Sequence, residues 1–405
     1  MQRTQLRAGP AATTPAPPRS ADSRAHRLMA AAIRAWPALA GYALVRLVNL
    51  VFIGLGTDRP MRSLLATRFD SGWYLGIAAS GYAQNCPIRG EMCRYAFFPL
   101  YPQLIRGIGG IIPLSPVTIA WTIALLSSLV AAWGILAVVE LVADRRAAIL
   151  TAVLWGIVPH AVVQSMAYTE SLFTALAAWA LYAVLTRKWL TAASLAVLAG
   201  LTRPTGAAVV AAVALCAFWA LLRPVPEGER SGPDGGRPVP RLLTAVIVSP
   251  LGLVAWFGWV GYRAGRWDGY FQVQERRWNT HFDFGAYTFG QITDVFTVRG
   301  SWTLTIPVIA ATLCAAVTLL VVCALQRLPA PLLIYAATVL VVALGGSDFF
   351  HAKARLLIPA FVLIIPVAKV LARSRPAVIG TIVTAGALVS GAYGSYVVLV
   401  ATASP

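Results

Sequence analysis

The sequence predicts an all-α protein that crosses a membrane many times, and two observations lead to this fold class. The first is composition, since 58% of the 405 residues are hydrophobic and only 12% are charged, with a mean hydropathy of +0.72. A soluble domain of this size carries about 25% charged residues. The second is the recurrence of apolar runs of roughly 18–25 residues, each long enough to cross a hydrocarbon core about 30 Å thick.

Hydropathy predicts about eleven membrane spans along the chain. They run near 35–56, 116–141, 147–165, 169–186, 189–202, 205–222, 242–263, 301–325, 330–346, 355–372 and 377–401. The two spans between 189 and 222 have an alternative interpretation as one broken unit around Arg203 and Pro204.

Composition shifts divide the chain into four predicted regions. Residues 1–34, rich in Pro, Ala, Thr and Arg, predict a disordered cytoplasmic tail. A transmembrane core at 35–222 includes a long outer loop at 57–115. A Pro/Gly-rich stretch at 223–241 predicts a flexible cytoplasmic linker, and 242–405 form a C-terminal transmembrane bundle.

The chain is strongly basic, with a net charge of +18 and a pI of about 10.4. Arg-rich cytoplasmic loops and contact with anionic lipid explain much of this charge, and no RNA-binding motif is present, so we expect membrane lipids and no nucleic acid as partners. Placing the N-terminus inside puts the cations at 145–146, 187–188 and 373–375 on the cytoplasmic side. Two long loops, 57–115 and 264–300, then face outside.

This topology sends ionisable residues from separate parts of the sequence to the outer face. Ionisable groups beside or within spans are costly, which suggests a function for them. The outer groups include Arg68, Asp70, Glu170, Arg203, His281, Asp348, His351, Lys353 and Arg355. Arg46 lies deeper, in the middle of a predicted span, and we expect it to face the bundle or to reach a phosphate.

Asp70 opens the stretch RFDSGWYLGIAASGY, in which Phe69, Trp73 and Ile77 recur every four residues. That spacing predicts an apolar stripe on a helix lying in the membrane interface. Two interpretations of Asp70 are open. It is either the N-cap of this helix, worth about 1 kcal/mol, or a general base at the lipid–water boundary, where a lipid-borne substrate can reach it.

Other outer segments also allow two interpretations each. Aromatic residues that favour the interface form an anchor or a wall for a lipid tail: Trp73, Tyr74, Phe97, Phe98 and Tyr101. His351, Lys353 and Arg355 precede a span, where they suit a phosphate or are ordinary snorkelling cations. Cys86 and Cys93 lie in an outer polar loop and predict a disulfide. No cysteine–histidine spacing suggests a zinc site.

The motifs resemble those of PIG-V-type mannosyltransferases. RFDSGWYLGIAASGY followed by AFFPLYP is similar to the pattern WD-x-x-x-[FY]-x-x-IA-x-x-GY and AFFP-[LF]-[YF]-P. AYTESLF and GLTRPTG are similar to later segments of that family, so the resemblance covers at least residues 68–206. Phe69 stands where the family usually has Trp, the TRSNG-like turn reads TRPTG, and the C-terminal match HAKARLLIP is looser.

The resemblance implies a GT-C glycosyltransferase with no metal and no cofactor. Asp70 would be the general base, and the donor would be a polyprenyl-phosphate sugar. The acceptor would be a glycolipid or a lipid-linked glycan, reached at the outer face of a plasma membrane. The candidates for binding the donor phosphate or the substrate are Arg46, Arg68, Glu170, Arg203, His351, Lys353 and Arg355.

Two rival functions accompany this expectation. One keeps the chemistry but changes the sugar to arabinose, glucose or another polyprenyl-linked residue. The other is a flippase or transporter of lipid-linked saccharide, which should place polar groups at several depths and on both sides. The concentration of charged groups at the outer face favours an enzyme.

Overall fold

The structure is a computed structural model that describes residues 20–82, 93–223, 239–297, 303–402 and 404. The chain divides into two units, Met1–Pro37 and Ala38–Pro405. In the first, helix α1 (Ser20–Leu55) has already begun, so part of the predicted disordered tail is helical. Residues 24–35 are rich in Ala, Arg, Leu and Met, which are strong helix formers. The remainder of the description concerns the second unit.

Helices also make up the rest of the N-terminal half that the structure describes. They are α2 (Met61–Thr67), α3 (Ser71–Ser80), α4 (Leu100–Gly109), α5 (Pro116–Val139), α6 (Arg145–Trp155), α7 (Glu170–Leu185), α8 (Trp189–Gly200) and α9 (Gly206–Leu222).

The C-terminal half follows the same pattern. Its helices are α10 (Val239–Val248), α11 (Leu251–Ala264), α12 (Gly269–Trp278), α13 (Ala286–Thr297), α14 (Thr305–Leu325), α15 (Ala330–Gly345), α16 (Lys353–Leu356), α17 (Ile365–Leu371) and α18 (Pro376–Leu399). Within the described ranges, extended pairing is limited to an isolated antiparallel bridge between Phe282 and Gly346. The predicted all-α class is confirmed.

Several helices are long and apolar enough to cross a membrane, which confirms the multi-pass prediction. Five pass this test in the described ranges: Met29–Leu55, Pro116–Val139, Val239–Ala264, Thr305–Leu325 and Pro376–Leu399. A sixth is possible if the pair Phe350–Leu356 and Phe361–Leu371, bent by 75°, counts as one span.

The count of eleven spans is not reproduced by helix length. Four further apolar helices have 10–17 residues, and the shortest, α8, has 12. At 1.5 Å per residue, α8 is about 18 Å long, short of the hydrocarbon thickness. Two predicted spans are also interrupted. The helix expected at 147–165 ends at Trp155, before Pro159 and the left-handed His160 (φ 63°), and the span expected at 355–372 breaks near Pro359.

Helix α7 is packed on several sides, by α5, α8 and α9. Small residues allow this close packing, because Ala177, Ala178 and Ala180 are fully buried in α7. Gly134 of α5 faces Ala178 so closely that an added Cβ would lie 2.9 Å from the alanine side chain. The first residue of this enclosed helix is Glu170, so the packing fixes a carboxylate in place.

Candidate active site

A cavity of about 540 Å³ collects side chains from distant parts of the sequence. Its lining comes from six described segments, near 69–74, 96–98, 168–170, 202–204, 274–280 and 342–356, together with Ser404. Most of the outer segments predicted to carry function therefore meet in one place. The cavity contains both acidic and basic groups beside an aromatic wall.

Asp70 lies at the start of α3 but does not cap it, because its side chain makes no hydrogen bond to the first turn. Instead, its Oδ2 accepts a hydrogen bond of 2.6 Å from Nη1 of Arg355, which is 285 residues away in the chain. The backbone N–H of Asp70 donates to the Tyr168 hydroxyl at 3.1 Å. Asp70 thus occupies the N-cap position without a capping bond from its side chain, and it is held facing the cavity by residues from two other segments.

The chain direction at Asp70 depends on an unusual residue before it. Phe69 has a left-handed backbone (φ 55°), which is uncommon for a bulky side chain. The Arg68 guanidinium lies 4.7 Å from the Phe69 ring centroid, and its Nη2 donates to the Ala401 carbonyl at 3.2 Å. Arg68 is thus turned away from the cavity lining, and it anchors the loop that presents Asp70.

A second carboxylate, Glu170, joins two arginines at the floor of the cavity. Its Oε1 lies 2.9 Å from Nη1 of Arg203 and 3.3 Å from Nε of Arg355. Both contacts are ion pairs but not hydrogen bonds. Arg203 Nη1 and Arg355 Nε have no hydrogen-bond acceptor with suitable geometry among the described residues. The Glu170 side chain is only 3% exposed, so it is shielded from the open cavity.

The alternation of charges gives a row Asp70, Arg355, Glu170 and Arg203. Burying a charge is costly unless it is paired, and here each charged group has an opposite neighbour. The exposed fractions are 21% for Asp70 and 12% for Arg355, compared with 9% for Arg203. Asp70 is thus the most accessible member of the row.

Local sequence explains how these side chains are placed. Glu170 is the first residue of α7, where the positive end of the helix dipole stabilises a carboxylate. Arg203 lies in the turn between α8 and α9, in which Pro204 ends the preceding helix. Gly206 allows this turn to fold back tightly, because a Cβ there would lie 2.7 Å from both the Ala199 carbonyl oxygen and the Cα of Gly200.

Tyr168 contacts both ends of the Asp70–Arg355 pair. Its hydroxyl accepts the hydrogen bond from Asp70, and the Arg355 guanidinium lies 5.1 Å from its ring centroid. Burial raises the pKa of Tyr168 well above its ordinary value. The phenol therefore stays protonated at neutral pH and acts as a fixed hydrogen-bonding group.

The predicted interfacial aromatics are packed inside the protein rather than against lipid. Tyr101 and Phe98 are at most 1% exposed, and Phe97 and Tyr74 are each 9% exposed. Trp73 stacks on Phe97 with ring centroids 5.5 Å apart. Burial of Tyr74, Phe97, Phe98 and Tyr101 does not suit an anchor on the protein surface, whereas the wall for a lipid tail stays a prediction. Phe97 and Trp73 contribute to the aromatic wall of the cavity.

Trp278 completes this aromatic wall and was not predicted from sequence. Its ring lies edge-on to Trp73 and Phe97, with centroid distances of 5.6 and 5.4 Å. Its indole N–H donates to the Cys93 carbonyl at 3.2 Å. The sequence contains only a weak indication of Trp278, because it is one aromatic residue in a long outer loop rich in charged residues. Gln274 lines the cavity one helical turn earlier and was also missed.

The cations before α17 have different environments. Lys353 is 3% exposed, and its Nζ donates to the carbonyls of Ala343 and Gly346 at 3.2 and 2.5 Å. It borders the cavity and also binds the C-terminal end of α15. His351 also borders the cavity, with its ring 5.6 Å from that of Phe349.

Arg46 lies outside the cavity lining. Its guanidinium donates to Asn49 Oδ1 at 2.9 Å, Ser165 Oγ at 2.6 Å and the Gly156 carbonyl at 3.3 Å. These neutral oxygens accept hydrogen bonds from both terminal nitrogens of the buried cation, whereas its Nε has no acceptor among the described residues. Arg46 therefore faces the bundle, one of the two expectations, and it joins α1 to the segment before α7. Cys86 lies outside the described residues, so the Cys86–Cys93 disulfide stays a prediction.

Comparison with known proteins identifies a fold. No model of a known family matches the sequence, and no curated protein does. The structure is similar to the oligosaccharyltransferase of Archaeoglobus fulgidus in its apo form, with a TM-score of 0.50 and 14% identity over 88% of this chain. Two further structures of that enzyme, each 14% identical over 88% of this chain, are one tethered to an acceptor peptide with the NVT sequon, with a TM-score of 0.42, and one with Zn and sulfate, with a TM-score of 0.43.

The match is partial on the archaeal side. The chain spans 56%, 55% and 53% of those three chains, about half the length of the archaeal enzyme. At this identity the likeness shows the fold and not the activity. The chain therefore has the multi-pass, all-α fold seen in the apo archaeal oligosaccharyltransferase.

Proposed function

We propose that this protein is an inverting mannosyltransferase of the PIG-V type, acting at the outer face of the plasma membrane. It would move mannose from a polyprenyl-phosphate-mannose donor to a hydroxyl of a glycolipid or lipid-linked glycan. The observation that carries the proposal is the alternating row of Asp70, Arg355, Glu170 and Arg203 in one cavity. The GT-C fold and the motif order support the same reaction class.

In the proposed reaction, Asp70 of the row acts as the general base, and Arg203 and Arg355 form a phosphate cradle that binds the anionic leaving group. The acceptor oxygen attacks C1 of mannose, and the bond from C1 to the phosphate oxygen breaks. The acceptor proton passes to the Asp70 carboxylate. Polyprenyl phosphate leaves from the opposite face with one more negative charge, which Arg203 and Arg355 stabilise. Attack from the face opposite the leaving group inverts the anomeric centre.

The cavity has the chemistry that such substrates need. Guanidinium groups bind phosphate oxygens in pairs of parallel hydrogen bonds, which gives orientation as well as affinity. The aromatic wall of Trp73, Phe97 and Trp278 provides flat apolar faces on which the CH groups of a sugar ring can pack. Polar groups at the other side of the cavity, including Gln274 and Asp348, are available to sugar hydroxyls.

The first test is Asp70→Asn, assayed with purified protein, a membrane lipid extract and several polyprenyl-phosphate sugars, with products read by mass spectrometry. General base catalysis contributes roughly 10²–10⁴-fold, so we expect transfer to fall by at least about 10²-fold. Asp58→Asn is the matched control, because Asp58 is an exposed carboxylate of the same loop outside the cavity lining. Near-normal turnover by Asp70→Asn would remove Asp70 as the base.

The same assay tests which sugar the protein transfers. Transfer from polyprenyl-phosphate-mannose alone is the expected result. Transfer only from an arabinose or glucose donor would keep the chemistry and reject mannose. No transfer from any donor, combined with movement of lipid-linked saccharide across vesicles, would replace the enzyme by the flippase alternative.

A further inference from the structure

Arg355 lies between two carboxylates that differ in accessibility. Its Nε is 3.3 Å from Glu170 Oε1, and its Nη1 is 2.6 Å from Asp70 Oδ2. Glu170 is 3% exposed and also pairs with Arg203, whereas Asp70 is 21% exposed. One end of the guanidinium therefore faces a carboxylate with almost no exposure, and the other end donates to the more exposed carboxylate, Asp70.

We propose that Arg355 exchanges partners during the reaction cycle. In the structure its Nη1 binds Asp70; when the donor binds, this end moves to the donor phosphate while Nε stays at Glu170. The exchange frees the Asp70 carboxylate to accept the acceptor proton. This inference rests on the proposed function and deepens it, because it makes donor binding the event that releases the base.

The geometry of the row sets up such a competition at one donor. The two carboxylates and the two guanidiniums balance in charge, so each guanidinium already has an acidic neighbour. A phosphate that binds Nη1 of Arg355 therefore competes with Asp70 for that donor. The Asp70 contact is the one to yield, because it is the more exposed and because Glu170 is enclosed by α7 packing.

The exchange has a consequence for catalysis. While Asp70 Oδ2 accepts the hydrogen bond from Arg355 at 2.6 Å, that oxygen is occupied and is not available to the hydroxyl of the acceptor. With donor, the same arginine neutralises the leaving phosphate and no longer competes for the base. Donor is thus expected to bind before the acceptor becomes reactive.

The experiment measures the dissociation constant of farnesyl phosphate, a short polyprenyl monophosphate, for the purified full chain in detergent. If Asp70 competes for Arg355, Asp70→Asn tightens binding by roughly tenfold, although it removes the catalytic base. Asp348→Asn is the matched control, since Asp348 is a cavity carboxylate paired with Asn279 and not with an arginine. We expect it to change the dissociation constant by less than about twofold.

A double-mutant cycle separates partner exchange from simple repulsion between Asp70 and phosphate. In an Arg355→Ala background, Asp70→Asn should no longer tighten binding. Equal tightening with and without Arg355, or equal tightening by Asp348→Asn, would overturn the exchange. Phosphatidylglycerol serves as the second probe, and the same Asp70-dependent tightening with this lipid would assign the exchange to a headgroup and overturn the donor assignment.

Failure of the two proposals can be told apart. If farnesyl phosphate binds wild type and Arg203→Ala weakens that binding, but Asp70→Asn does not tighten it, the exchange is wrong and the phosphate cradle stands. If farnesyl phosphate binds neither wild type nor any variant, the cradle and the exchange are both wrong. Thermal unfolding of each variant confirms that the folded protein is being compared.

Discussion

At the scale of single residues, side chains of the same type have different surroundings and therefore different expected roles. Asp70 and Glu170 are both carboxylates next to a helix start, yet one borders open space and the other is enclosed. Arg46 and Arg355 are both arginines with little exposure, but the neighbours of Arg46 are neutral oxygens and those of Arg355 include two carboxylates. Chemistry is therefore expected from Asp70 and Arg355, and support of the fold from Arg46.

Trp278 offers a test of the aromatic wall at this scale. If a sugar ring of the acceptor packs on its face, Trp278→Ala should raise the KM for the acceptor roughly fivefold, because stacking surface of this kind contributes on the order of 1 kcal/mol. Trp278→Phe keeps an aromatic face and loses only the hydrogen bond to the Cys93 carbonyl. We expect that variant to recover most of the affinity. Steady-state kinetics with each substrate varied in turn provide the measurement, and an equal rise in the donor KM would contradict a role at the acceptor.

At the scale of structural elements, two turns hold the site together. The turn between α8 and α9 carries Arg203, and the turn after α15 is joined to the segment after α12. The backbone N–H of Ser347 donates to the His281 carbonyl at 2.8 Å, and that of Asp283 donates to the Gly345 carbonyl at 2.9 Å. The second outer loop is thereby attached to the cavity rim.

Gly206→Ala tests the first turn. The added Cβ would overlap the Ala199 carbonyl region, and overpacking of this kind costs about 1–3 kcal/mol. We expect a lower melting temperature and reduced transfer, since Arg203 would shift with the turn. Gly258→Ala is the control, because nothing lies within 4 Å of a Cβ at Gly258. Unchanged stability and activity in Gly206→Ala would show that the turn can relax without moving Arg203.

The attachment of the second outer loop can be tested at Asp283, through the pH dependence of protein stability. Its carboxylate accepts hydrogen bonds from the backbone N–H groups of Tyr287 and Gly285, at 2.8 and 2.9 Å. The bond from Tyr287 is the main reason that the pKa of Asp283 lies below its ordinary value. The contribution to stability is therefore complete above the unfolded pKa of about 3.9 and disappears as pH falls through the lower folded value.

The matching experiment compares wild type with Asp283→Ala by thermal unfolding across pH. We expect a lower melting temperature for the variant at pH 7, and a difference that shrinks below about pH 4 as the wild-type carboxylate protonates. Asp294→Ala, in α13 but without these cap bonds, is the control. A difference that is constant down to pH 2 would show that Asp283 acts through packing and not through its charge.

At the scale of the whole molecule, the predicted orientation places the cavity on the outer side of the membrane, and this can be tested by labelling. The segments that line it include parts of both long loops predicted to be outside. Two cysteine variants can report the orientation. Trp267→Cys places a thiol on the second of these loops, at a residue that is 92% exposed. Arg373→Cys lies in an exposed turn predicted to be cytoplasmic.

We expect a membrane-impermeant maleimide to label Trp267→Cys in intact cells and Arg373→Cys only after lysis, with the native cysteines replaced by serine. Labelling of both in intact cells would indicate lysis or leakage, which a cytoplasmic marker protein detects. Labelling of Arg373→Cys alone would reverse the orientation and move the cavity to the cytoplasmic side.

The sequence by itself determined that this protein belongs in a hydrocarbon environment, and it determined which residue types form the candidate site. Long apolar runs require a hydrocarbon environment, and the backbone in such an environment must be helical. Charged residues that interrupt these runs, such as Asp70, Glu170, Arg203 and Arg355, are noticeable because each would be costly without a partner. These features depend on composition and local order, which a sequence displays directly.

Only the tertiary structure decided which groups pair and which aromatic faces are covered. Asp70 reaches Arg355 across 285 residues, Arg46 turns to neutral oxygens, and Trp278 enters from a loop with no distinguishing motif. The short helices α7 to α9 and the break near Pro359 likewise followed from packing rather than hydropathy. Long-range contacts arise from how helices close around small residues, and a hydropathy pattern of period 3.6 carries no information about the partner that each face will meet.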